Sequence, residues 1–179
     1  SAMTTETQNV AIGSSALGNA TGAQNVIAIG HRAAVALSHG DSSGTIAIGA
    51  LALEGANGSH SPNIAIGYYA GNAITSGASN IAIGHEALKT TTTGLRNIAI
   101  GYEAMHDTDA GSSSSDSDNN IFIGYTAGGG AWADAKSENN VAIGSNVMQG
   151  VLNGANNNTA LGYFALASIT SGDTNVGIG

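Results

Sequence analysis

A glycine recurs along this chain with one short sequence locked around it. It stands at Gly13, Gly30, Gly49, Gly67, Gly84, Gly101, Gly124, Gly144, Gly162 and Gly179. Successive spacings are 17, 19, 18, 17, 17, 23, 20, 18 and 17 residues. The clearest copies read Asn-Ile-Ala-Ile-Gly-His-Glu-Ala-Leu (Asn80 to Leu88) and Asn-Ile-Ala-Ile-Gly-Tyr-Glu-Ala-Met (Asn97 to Met105). A fixed motif with variable slack is the mark of stacked coils, in which insertions swell the loops and leave the stack intact.

The residues three and one before each glycine are aliphatic, as in Ile27/Ile29, Ile64/Ile66, Ile81/Ile83, Ile98/Ile100 and Val141/Ile143; Thr159/Leu161 is the weak copy. Between them stands Ala, except for Phe122 and Gly177. Period-two alternation in β-branched residues predicts a short strand. Ile is expected to fill the inside of the coil and Ala to face a neighbouring layer. The glycine is expected to turn a corner. A second short strand is expected to return through Ala16-Leu17, Ala87-Leu88 or Ala104-Met105. Polar turns such as Thr75-Ser76-Gly77 then close the coil.

The predicted fold is therefore all-β, a parallel β-solenoid of about ten coils with two short strands each. At ~4.8 Å per strand, ten coils make a rod of roughly 45–50 Å. Residues 1–3 read as a tag remnant. Residues 4–179 read as one repeat domain, with loop insertions at 106–119 and 128–139. The chain is expected to be an excised piece of a longer protein.

Four residues before the glycine stands Asn in eight copies, among them Asn63, Asn80 and Asn97. Stacked asparagines hydrogen-bond along a fibre axis, so these residues are expected to be structural. The same holds for Gly67, Gly84 and Gly101.

Composition excludes several functions. Formal net charge is −8, from 12 acids and 4 bases, and Arg32, Lys89, Arg96 and Lys136 cannot build a phosphate-neutralising patch. No nucleic-acid partner is expected. No apolar run approaches the ~20 residues that cross a bilayer, so no membrane insertion is expected. With no Cys, disulfides and thiolate metal sites are excluded. The thin, Ala-rich coils bury little apolar area, so association through the Ala face is expected.

The copies resemble the head repeats of trimeric autotransporter adhesins, whose motif centres on Val/Ile-Ala-Ile-Gly. They are equally similar to the Ile-Ala-Ile-Gly-Tyr-x-Ala-Leu repeats of phage tail fibres and large bacterial surface proteins. The resemblance runs from about Asn9 to Gly179. It implies a left-handed β-roll, a homotrimer, and an extracellular task on a virion tail fibre or bacterial cell surface. The partner it implies is a host-surface glycan or protein receptor. The repeat here is longer than the shortest adhesin-head repeats. No membrane-anchor barrel and no C-terminal chaperone domain is recognised.

Three features are candidate sites. The residue after each glycine forms a column in which Tyr68, His85, Tyr102 and Tyr125 occupy four consecutive coils. Such a ring ladder stacks on sugars, on a neighbouring chain, or on itself. Trp132, the only Trp, lies in a Gly-rich insertion; it is either a receptor anchor or folds back over a hydrophobic end of the coil. Asp107, Asp109, Asp116 and Asp118 crowd the longest insertion, where carboxylates offer Ca²⁺ oxygen ligands or simply solvate a loop. No cofactor and no structural zinc is expected, because the five His have no paired ligand spacing.

No catalytic constellation stands out, so an enzyme is not expected. The alternatives are a hexapeptide-type acyltransferase and an ice-binding solenoid. The first needs an aliphatic residue every six positions, but six after Ile12 is Gly18 and six after Ile83 is Lys89. The second needs filled Thr columns, which are absent.

Overall fold

In a computed structural model the described residues are 8–37, 43–56, 62–108 and 116–179. The expected tag remnant, Asp109, His39 and His60 lie outside them. Ten three-residue strands follow one another: β1 (Val10–Ile12), β2 (Ile27–Ile29), β3 (Ile46–Ile48), β4 (Ile64–Ile66), β5 (Ile81–Ile83), β6 (Ile98–Ile100), β7 (Ile121–Ile123), β8 (Val141–Ile143), β9 (Thr159–Leu161) and β10 (Val176–Ile178). They form one parallel sheet in sequence order. Pairing is in register throughout, so Ile81 faces Ile98 and Ile83 faces Ile100. The chain is a parallel β-solenoid. It makes about 8 turns, fewer than the ten coils expected from the sequence. No helix among the described residues is long and apolar enough to cross a membrane.

The orientation of the strands is the reverse of the sequence expectation. The central residues Ala28, Ala47, Ala65, Ala82, Ala99, Phe122 and Ala142 are buried, while the flanking Ile side chains lie partly exposed on the outer face. The reason is width. The return segment sends Leu17, Leu53, Leu88, Met105 and Met148 into the same interior, where each is fully buried. That leaves room for a methyl group opposite, not for an Ile.

The return segment is not a second strand either. Residues two and four after the glycine adopt left-handed backbone, as at Glu86 (φ 56°) and Leu88 (φ 51°), or Glu103 (φ 51°) and Met105 (φ 48°). Each costs of the order of 1 kcal/mol. The alternation aims backbone N–H groups at both neighbouring coils. Glu86 N–H donates to the Tyr68 carbonyl (2.8 Å), and Leu88 N–H donates to the Ala104 carbonyl (2.9 Å). A hydrogen-bond ladder thus forms without strand dihedrals, which satisfies buried backbone groups.

The glycine column is required twice over. At Gly101, φ is +135° and an added Cβ would sit 2.2 Å from the Gly124 carbonyl oxygen. Consecutive corners stack backbone directly on backbone, with no space for a side chain.

The asparagines do form a buried ladder. Asn63 Oδ1 accepts from the Asn80 backbone N–H (2.8 Å), and its Nδ2 donates to the Gly77 carbonyl (2.9 Å). Asn80 and Asn97 repeat the pattern. From Asn120 onward the amides also bond to each other, as Asn120 Nδ2 does to Asn97 Oδ1 (3.2 Å) and Asn140 Nδ2 to Asn120 Oδ1 (3.0 Å). Thr45 occupies the same column, and its buried hydroxyl has no partner among the described residues. Its side chain is shorter than asparagine by the reach of an amide.

Candidate functional site

Two surfaces flank the glycine corner, and both follow from the coil period. Before the corner, the outward residues of β1 to β10, Ile or Val except for Thr159 and Leu161 in β9, form two parallel and mostly aliphatic columns. They are most open toward the ends of the stack, with Ile12 58%, Val176 74% and Ile178 81% exposed. Rows of outward aliphatic side chains are an unusual surface for a rod in water. The sequence expectation had this face turned inward and the Ala face outward; the structure has the reverse.

After the corner, the expected ring column is present. Tyr68 and His85 centroids lie 5.4 Å apart, His85 and Tyr102 5.0 Å, and Tyr102 and Tyr125 5.3 Å. The last two pairs are nearly parallel, at 12° and 10°. All four rings are exposed. Their separation is that of the strands, because each ring sits at the same place on successive coils. Stacked faces cover one another, so the column presents ring edges and phenol hydroxyls outward. Open ring faces are confined to its ends, and there Tyr69 meets Tyr68 edge-on at 4.5 Å.

Beside the ring column runs a second column holding Glu86 and Glu103 on adjacent coils. Glu86 Oε2 lies 3.0 Å from Lys89 Nζ and 2.9 Å from His106 Nε2. Burial pushes the Glu86 carboxyl up, but the hydrogen bonds and charges of Lys89 and His106 together hold it below the usual carboxylate range. A hydrogen bond with Glu103, and that carboxylate's charge, raise the Tyr102 hydroxyl above its ordinary value. His85, Glu86 and Glu103 bring one ligand atom each to within 4.8 Å of one another.

The other predicted residues are placed differently. Trp132 is 0% exposed, its indole N–H donates to the Gly128 carbonyl (2.9 Å), and its ring packs 5.6 Å from Phe122. It fills the coil interior, so the receptor-anchor expectation does not match its position. The acidic insertion does not gather into a ligand set among its described residues. Asp118 Oδ1 accepts from Leu95 N–H (2.6 Å), Asp116 accepts from the Thr93 hydroxyl, and the Asp107 carbonyl accepts from Trp132 N–H (2.8 Å). Those acids tie the insertion to the coils on either side. Asn63, Asn80, Asn97, Gly67, Gly84 and Gly101 hold the stack together as expected.

The sequence reading passed over Glu86, Glu103 and His106. Glu86 is separated from Glu103 and His106, on the next coil, by 17 and 20 residues in sequence, so no local motif announces them. Reading the second column after each glycine, rather than only the first, finds the two glutamates.

Comparison with protein-family models, curated proteins and solved structures finds no match.

Proposed function

We propose that this chain is a structural and receptor-binding segment of an extracellular fibre or adhesin, working as a homotrimer of rods packed side by side. It attaches a virion tail fibre or a bacterial surface to a host-surface glycan or protein. The observation that carries the reading is the pair of outward aliphatic columns along ten successive strands. A lone rod leaves this face in water. Packing it against copies of itself removes apolar area at ~25 cal/mol per Å². The resemblance to adhesin-head and tail-fibre repeats supplies the number three and the attachment role.

The ring column lies one residue beyond the corner from the aliphatic columns, and thus at their rim. In this arrangement the ring edges and hydroxyls border the packed face and remain open to a receptor. Molar mass in solution tests the assembly: three chains of 17.5 kDa are expected. A monomer at micromolar concentration overturns the proposal. Substituting Ile83 and Ile100 with Lys on the outer face is expected to leave folded single rods. A glycan array on the wild-type assembly then tests attachment.

A further inference from the structure

We propose that His85, Glu86 and Glu103 form a binding site for one divalent transition-metal ion, bridging the coils of β5 and β6. It does not depend on the fibre reading, and its three ligands lie outside the acidic insertion.

The geometry suits a single ion. The three ligand atoms lie within 4.8 Å of one another, and ligands on opposite sides of such an ion stand ~4.2 Å apart at bond lengths of ~2.1 Å. Rotation of the two flexible glutamate side chains closes the difference. The backbone fixes their relative height, since Glu103 N–H donates to the His85 carbonyl at 2.9 Å.

Two of the three ligands are oriented from outside the set. The His85 ring is held between Tyr68 and Tyr102. Lys89 and His106 both engage Glu86 Oε2, which leaves Oε1 for a metal. Ligating carboxylates are characteristically pinned in this way by outer hydrogen bonds.

Charge points the same way. Like charges on facing residues of neighbouring rungs destabilise a ladder. Lys89 and His106 engage Glu86, whereas Glu103 has no basic partner among the described residues. A cation held by the set compensates the Glu103 charge. One imidazole and two carboxylates suit zinc or manganese rather than calcium, which takes six to eight oxygens.

Calorimetric titration of the full chain with Zn²⁺ alone tests this. One ion per chain is expected, with no comparable uptake of Ca²⁺. Glu103→Gln and His85→Tyr are each expected to weaken Zn²⁺ binding at least tenfold. His85→Tyr keeps a ring in the column, so the stack and the metal-free melting temperature are retained. Asp107→Asn is expected to bind as the parent does. Absence of saturable Zn²⁺ uptake overturns the proposal. So does uptake that both variants leave unchanged, or uptake lost in Asp107→Asn, which places the ion in the insertion.

Discussion

The interior of the coils at β5 and β6 differs from that at β7, and the difference shows what the stack conserves. At β5 and β6 the strand contributes a methyl group, Ala82 or Ala99, and the return segment contributes Leu88 or Met105. At β7 the strand contributes Phe122, and the return position is Gly128. A Cβ on Gly128 would lie 2.5 Å from the Phe122 ring. The large side chain has moved from one wall to the other, and Trp132 from the adjoining loop completes the filling. A milder exchange occurs at Gly71, where the fully buried Ile74 supplies the volume. Width across the coil is thus held constant, while the wall that provides the bulk is free to change.

Six substitutions, two of them also combined, break or sharpen this comparison. Gly101→Ala violates what both regions share, the backbone stack at the corner. It is expected to cost more than ~4 kcal/mol and to abolish cooperative unfolding near the parent midpoint. A midpoint within a few degrees of the parent would show that the corners are not packed as described.

Phe122→Ala is next, with an expected loss of ~3–5 kcal/mol in chemical denaturation. Gly128→Leu alone is expected to overpack the coil and cost ~1–3 kcal/mol or more. The two together rebuild the β5 pattern, because Leu is accepted at the same left-handed φ at Leu88. The double variant is expected to be more stable than Phe122→Ala alone. Simple additivity in the double-mutant cycle would refute the exchange of walls.

The asparagine ladder divides at the same place. Asn140→Ala removes bonds to two neighbouring amides, to the Asn158 backbone N–H and to the Ala155 carbonyl. Asn63→Ala removes only those to Asn80 N–H and the Gly77 carbonyl. Expected losses are about 2–3 and about 1–2 kcal/mol, since each buried partner left unpaired adds its own penalty. Equal losses would show that amide-to-amide bonds add nothing.

Thr45→Asn is the smallest effect and the one gain. It supplies the missing acceptor beneath Asn63 and is expected to add about 1 kcal/mol, seen as a rise of ~2–4 °C in melting temperature. An unchanged or lower value would mean that the column is not continuous there.

The sequence by itself determined the rungs. Glycines at near-constant spacing, with Ile two residues apart before each, admit only in-register parallel stacking, and the ring column and asparagine ladder follow because any fixed position in a coil recurs directly above itself. It did not determine which face of the strand points inward. Ile-Ala-Ile alternates equally well either way, and the larger residue is the natural choice for a core. Tertiary structure decided otherwise, because Leu88, Met105 and their equivalents already fill a narrow interior. It also decided that the return segment bonds through alternating left-handed residues, that Trp132 turns inward, and that His85, Glu86 and Glu103 meet across two coils. Each of these depends on the space left by other coils, which no local pattern encodes.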